Sequence, residues 1–363
     1  MSIWRFARFL PAIPASAQVT LGEGGTPLVR SRRIGPAAGL KELYFKLDGQ
    51  NPTGSYKDRF AVTAVSAMVA DGIDRCVATS SGNTGAALAG YCAAAGIRCY
   101  IAIVETAPLG KLRQMMAYGA RIFRVRQFGR SPAVTSGVID GLMRFAATGN
   151  AALQISAYRY SPVGMQGVQT VAHELAEDLA GHVEHVFCPA GSGGLVVAAV
   201  RGFEQLREAG MLARVPAVHV VQPTGNNTIA GPLRDGLARA QIVECMTHVS
   251  GLQVPNVIDG DTALLASRST GGTGHLVTDG EVFEAQSRLA REEGIFTEPA
   301  GAAATAGVLA ARRVGLLRAD ARVVSLITGL GFKDEAAVLR MTNNSECPML
   351  ESPNEMDAFL GSG

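Results

Sequence analysis

The sequence predicts an α/β protein of two doubly wound units, and three features predict it. Short apolar strands alternate with helices of two or more turns between residues 43 and 327, the rhythm of parallel sheets covered on both faces. Two strand ends run into small-residue loops that open helices, at 80–85 and 191–195, the arrangement that puts ligands at the carboxyl edge of such a sheet. A third turn, Asn51-Pro52-Thr53-Gly54-Ser55-Tyr56-Lys57-Asp58-Arg59, sets a lysine at the start of another helix.

Residues 21–28 form a turn-rich entry to a short strand, and 43–48 a second strand leading into the lysine turn. Pro52 and Gly54 tighten that turn, and Ser55 caps a helix that begins near Lys57 and continues through the alanine-rich stretch 61–70. A strand at 76–80 runs straight into Ser81-Gly82-Asn83-Thr84-Gly85 and a helix ending near Ala95. Residues 98–104 follow as strand, 111–118 as helix and 120–126 as strand. After a looser connection at 154–167 the rhythm returns, with a helix at 168–179 and a strand at 183–190. Gly191-Ser192-Gly193-Gly194-Leu195 then opens a helix to Glu208, followed by a strand at 218–222. The span 224–273 is turn-rich and poorly periodic; helices at 281–293 and 301–314 precede a strand at 323–327. The organisation expected is residues 1–155 with the lysine turn, 156–342 with the glycine loop, and a polar tail, 343–363, either mobile or lying across the body.

Composition narrows the class. A chain of 363 residues, 47% hydrophobic and 18% charged, holds about two ordinary domains. Its net charge of +2 and lack of a Lys/Arg cluster argue against a nucleic-acid partner. The apolar run in residues 4–10 is too short for a membrane span or secretory signal and is followed by Pro11 and Pro14. The six cysteines form no C-x-x-C pair, so they read as buried thiols of a reducing compartment rather than a disulfide framework or zinc site. His182 and His185 approach a strand, and no metal is expected there. The expected location is cytoplasmic.

A lysine beside the unpaired N–H groups of a helix start is biased toward its neutral, nucleophilic form. In isolation such a lysine is usually a surface residue; the two loops change that reading. Gly191 to Leu195 offers successive unhindered N–H groups suited to a phosphate monoester. The other loop adds the hydroxyls of Ser80, Ser81 and Thr84, suited to a carboxylate or a second phosphate. A dinucleotide fingerprint would need glycine at 196, where the chain has Val196, and no Walker lysine follows either loop. One small cofactor unites an amine, a phosphate loop and a second anion loop: pyridoxal 5'-phosphate, held as a Schiff base to lysine.

The lysine turn resembles that of the fold type II pyridoxal-phosphate enzymes, and its details resemble the threonine synthases. Leu21-Gly22-Glu23-Gly24-Gly25-Thr26-Pro27-Leu28 is similar to that family's entry segment, and Ser81-Gly82-Asn83-Thr84-Gly85 to its asparagine loop. Lys111-Leu112-Arg113-Gln114, Tyr118-Gly119-Ala120, Tyr158-Arg159 and Thr328-Gly329-Leu330-Gly331-Phe332-Lys333-Asp334 also correspond. The resemblance implies two α/β domains with the cofactor in the cleft between them, usually as a homodimer. It implies that Lys57 forms the Schiff base and shuttles protons, Asn83 bonds the ring hydroxyl, Gly191, Ser192, Gly193, Gly194 and Leu195 hold the phosphate, and Thr328 faces the pyridine nitrogen. Ser80, Ser81, Gly82 and Thr84 would meet the substrate carboxylate, with Ser156 and Arg159, alongside Thr84, at its phosphate. The implied reaction turns O-phospho-L-homoserine and water into L-threonine and phosphate.

The chain also departs from the family. Its phosphate loop lacks the asparagines usual in threonine synthases and looks more like those of serine/threonine dehydratases and cysteine synthases. Gln154-Ile155-Ser156-Ala157 stands where Asn-Ser and Asn-Pro are common, and Phe60 replaces a small residue beside the lysine motif. A β-elimination or β-replacement enzyme and a specialised γ-replacement enzyme of secondary metabolism therefore stay open. So, from other classes, do a non-catalytic binding relative and a nucleotide-binding protein, although Lys57, Asn83 and Thr328 argue against the first and the missing third glycine against the second.

Overall fold

The computed structural model describes residues 2–361 apart from 81, 106, 108, 129, 130, 148 and 344. Its strands are β1 (Leu28–Arg30), β2 (Glu42–Lys46), β3 (Arg75–Thr79), β4 (Arg98–Ile103), β5 (Arg121–Arg124), β6 (Ala151–Gln154), β7 (His185–Pro189), β8 (Ala217–Pro223), β9 (Gly274–Val277) and β10 (Arg322–Leu326). Among the described residues they form a six-stranded sheet, β1-β2-β10-β7-β8-β9, and a four-stranded sheet, β5-β4-β3-β6. All neighbours run parallel except β1 with β2.

Both faces of the larger sheet are covered, and β7 shows how the alternation achieves it. Val186 and Cys188 pack into one core with Val196, Val200 and Phe203 of the helix Gly194–Glu208. Phe187, between them, packs into a second core with Ala302, Ala306 and Val308 of the helix Pro299–Arg313. Successive strand side chains point to opposite faces, so a strand apolar at every position must be covered twice.

Sheet membership does not follow the expected division at residue 155. β2 lies in register with β10, Glu42 opposite Arg322 through Lys46 opposite Leu326. Its Leu43 and Phe45 are buried in the same core as Val323 and Ile327. The first two strands thus belong to the sheet of the second half, and the smaller sheet is inserted after them. Local pattern identified these strands but carries no information on their partners.

Other differences are local. The helix Pro132–Ala147 and strand β6 fall where no element was assigned, and the turn-rich span contains the helix Gly260–Ser269. The helix expected over 168–179 is Thr170–Asp178, and a further helix, Pro162–Val168, lies in the stretch expected to be a looser connection. Cys76, Cys92, Cys99 and Cys188 are buried thiols as expected, whereas Cys347 is exposed and Cys245 partly so, both outside the sheets. The tail carries a short helix, Met356–Leu360, with no buried residue.

The helix Lys57–Ala70 is held to this frame by a buried cation. Arg59, fully buried, donates to both oxygens of Asp48 at 2.8–2.9 Å and to both oxygens of Glu174 at 2.7–2.8 Å. Lys46 adds a second cation to Glu174 at 2.9 Å. Two forked carboxylate pairs satisfy the guanidinium that burial would otherwise penalise. The helix Pro162–Val168 lies against Lys57–Ala70 so closely that a Cβ on Gly167 would come within 2.0 Å of the Arg59 carbonyl. Only glycine permits that approach.

Candidate active site

The lysine turn folds as its residues suggest. Gly54 has φ 95°, which glycine adopts without strain, and a Cβ there would meet Lys333 Cε at 2.7 Å. The Ser55 hydroxyl accepts from the Lys57 N–H at 3.4 Å, although the N-cap position itself is Tyr56. Lys57 therefore begins its helix and projects into a cavity of about 450 Å³ at the carboxyl edges of both sheets.

Lys57 Nζ donates to Ser156 Oγ at 2.7 Å and sits 4.4 Å from the centroid of the Tyr56 ring. Burial pulls its pKa from 10.5 down to about 7, against the carboxylates of Asp259 and Glu298, which push it up. The neutral amine expected from the helix terminus is thus present, but loss of water is the main cause.

The two loops flank this amine. Gly193, at φ 97°, precedes the helix Gly194–Glu208, and Gly191, Ser192, Gly193, Gly194 and Leu195 all line the cavity. Among the described residues nothing accepts the N–H groups of Ser192, Gly193, Gly194 and Leu195. The Leu195 side chain turns into the core, leaving only its N–H to the loop. Glycine is required at 193, where φ is 97° and a Cβ would lie 2.7 Å from Ala263 Cβ.

On the opposite wall Asn83 opens the helix Asn83–Ala95, with Gly82 and Thr84 beside it. The Ser80 hydroxyl accepts from the N–H groups of Gly82 at 3.2 Å and Gly85 at 3.1 Å, so it already caps this helix. Ser81 lies outside the described residues. Thr328 is buried at the cavity wall, its carbonyl accepting the Tyr56 N–H at 3.0 Å.

Arg159 is the one described candidate that the structure does not bring to the cavity. It is exposed, with its guanidinium 5.9 Å from the Tyr160 ring centroid. Its backbone N–H and that of Tyr158 instead donate to Asp259, at 3.2 and 2.8 Å.

Asp259 and Glu298 escaped sequence reasoning, and Lys333 was matched within the 328–334 motif without a role. Asp259 stands at the N-cap of the helix Gly260–Ser269 but turns its carboxylate away to residues 158–159, while its N–H donates to the Ser192 carbonyl at 3.2 Å. Glu298 accepts from Asn83 Nδ2 at 2.6 Å. Lys333 lines the cavity and donates to Gln114 Oε1 at 2.6 Å; burial lowers its pKa, opposed by Glu298 and Asp58. Asp259 carried only an N-cap signal, and Glu298 only its place before Pro299 at a helix start.

These residues fit pyridoxal phosphate. Four N–H groups at a helix start that nothing among the described residues accepts suit its phosphate, an amine near neutrality suits its aldehyde, and Thr328 at the cavity wall carries a neutral hydroxyl rather than a carboxylate. Comparison with known proteins agrees. The family model described as "Pyridoxal-phosphate dependent enzyme" matches residues 19–329. A threonine synthase of Methanocaldococcus jannaschii is 34% identical over 96% of this chain and 85% of its own length. One of Halalkalibacterium halodurans is 30% identical over 99% of this chain and 98% of its own. Among solved structures, a Solanum lycopersicum threonine deaminase superposes with a TM-score of 0.74 at 19% identity, covering 95% of this chain and 94% of that one. Maize serine racemase superposes with a TM-score of 0.72 at 21% identity, covering 88% and 92%. At those identities the likeness is one of fold, the fold type II architecture. The chain belongs to the pyridoxal-phosphate dependent enzymes, as a carbon–oxygen lyase related to the threonine synthases, and its cofactor is pyridoxal 5'-phosphate.

Proposed function

We propose that this enzyme is a threonine synthase, converting O-phospho-L-homoserine and water to L-threonine and phosphate. The observation that carries the reading is the Lys57 amine, its pKa lowered by burial to about 7 and its Nζ hydrogen-bonded to Ser156 between two helix starts. Relatives named threonine synthase, 30–34% identical over most of the chain, support the substrate.

When bound, pyridoxal phosphate supplies the electron withdrawal that acidifies the substrate's α proton. Ser192 to Leu195 hold the cofactor phosphate by their N–H groups, Asn83 serves the ring hydroxyl and Thr328 the ring nitrogen. The N–H groups of Asn83 and Thr84, with the hydroxyls of Ser80, Ser81 and Thr84, would orient the substrate carboxylate. Lys57 Nζ, half neutral near pH 7, would accept the α proton and then help move a β proton, so that phosphate leaves the γ carbon and water adds at the β carbon, while Ser156 Oγ aims the amine. Thr84 and Ser156 offer hydroxyls to the leaving phosphate, which Arg159 joins by swinging its side chain inward. A homodimer and a cytoplasmic location belong to this reading; no described helix is long and apolar enough to cross a membrane.

A second reading, β-elimination or β-replacement on a serine-like substrate, is favoured by the outward Arg159 and by the asparagine-free phosphate loop. Incubating the holoenzyme with phosphohomoserine, phosphoserine, serine and threonine, and assaying phosphate, ammonia and amino acids, separates the two. Phosphate and threonine in equal amounts from phosphohomoserine support the proposal; none, with turnover of a serine derivative, replaces it.

A further inference from the structure

Three cysteines scattered in the sequence converge in the smaller sheet, away from the cofactor cavity. Cys76 on β3 and Cys99 on β4 are directly opposed in register. Parallel neighbours at one register level point their side chains to the same face. The helix Asn83–Ala95 lies over that face and contributes Cys92. The three sulfurs lie within 4.8 Å of one another. Cys76 and Cys92 are fully buried and Cys99 is 7% exposed.

Geometry and charge together select what such a site takes. A thiophilic centre bonding sulfur at about 2.3 Å spans sulfurs roughly 4 Å apart, so three donors close on one atom with small shifts. Among the described residues no fourth His, Cys, Asp or Glu joins them, which disfavours zinc, tetrahedral in its structural sites. Three thiolates around any divalent ion would leave a net negative charge inside the buried hydrophobic core to which all three cysteines belong. An uncompensated buried charge is strongly penalised. A trivalent, three-coordinate p-block centre avoids this, because its trihydroxide enters neutral and its trithiolate stays neutral.

We propose that Cys76, Cys92 and Cys99 form a binding site for trivalent arsenic, the class of neutral, thiophilic trihydroxides. Three sulfur–arsenic bonds form, three arsenic–oxygen bonds break, and each thiol proton leaves with a hydroxide as water. Nothing is oxidised or reduced. The bound atom would tie β3 to the helix Asn83–Ala95, the strand and helix on either side of the Ser80–Asn83 loop.

The test uses reduced holoenzyme carrying Cys245→Ser and Cys347→Ser, which removes the accessible thiols outside the cluster. After incubation with arsenite and desalting, we expect one arsenic per chain by elemental analysis. Intact mass should rise by one arsenic less three hydrogens, the signature of three bonds. Cys92→Ala and, separately, Cys99→Ala in the same background should retain at least ten-fold less arsenic while melting as folded proteins by circular dichroism. Cadmium offered in parallel should be retained less than arsenic. No retained arsenic in the background, a mass showing two bonds, equal retention by a folded variant, or a preference for cadmium would each overturn the proposal. If neither variant folds, the background stoichiometry and mass still decide.

Discussion

The protonation of Lys57 is the quantity on which the chemistry turns. A fall from 10.5 to about 7 corresponds to about 5 kcal/mol in favour of the neutral amine, at about 1.4 kcal/mol per unit. At pH 7 about half the molecules then present a nucleophile, against roughly one in 3,000 for an unshifted lysine. The chain has only five lysines, so each can be followed by peptide mass spectrometry. Competitive acetylation of the cofactor-free protein across pH 5–11, normalised to exposed Lys41, should show Lys57 reactivity rising with a midpoint near 7. Asp259→Asn removes a carboxylate that favours the ammonium form, and should move the midpoint down by about one unit while leaving an oxygen for residues 158–159. A wild-type midpoint above 9, or an upward shift in Asp259→Asn, would show that burial does not control this amine.

The same shift bears on stability. Between about pH 7 and 10.5 the unfolded chain binds the Lys57 proton that the folded chain lacks, so this group makes stability rise with pH in that window. Lys57→Met should flatten that rise in urea melts of the cofactor-free protein and stabilise it at pH 7. Arg59→Met leaves Asp48 without a cation and Glu174 with Lys46 alone, and should cost roughly 3–5 kcal/mol by denaturant titration; a loss under 1 kcal/mol would mean water reaches them. Gly193→Ala forces a side chain to φ 97° and against Ala263. It should weaken cofactor affinity at least ~10-fold, about 1.4 kcal/mol, in a fluorescence titration, and unchanged affinity would count against the phosphate loop. Arg159→Ala should lower turnover of phosphohomoserine roughly 100-fold, for about 3 kcal/mol of lost transition-state stabilisation, and barely affect a substrate without phosphate; a small effect on both would keep Arg159 outside the site, where its exposed side chain lies.

Much of this molecule is determined by short stretches of its sequence. The turn 51–56 and the loop 191–195 need no distant partner to be recognised, because Pro, Gly and Ser at those spacings dictate the backbone and the helix starts that follow. The alternation of apolar strands and helices likewise fixes an α/β class, since strands apolar at successive positions must be covered on both faces. Tertiary structure alone decided the rest. β2 reads as a strand from residues 42–46, but its pairing with β10 joins positions about 280 residues apart in sequence. Glu298 and Lys333 reach the cavity from elements far from the lysine turn, and the three buried cysteines meet because β3, β4 and one helix share a face. Even the Lys57 pKa follows this division: its place at a helix start was written locally, whereas the loss of water that shifts it most exists only once both sheets close around it.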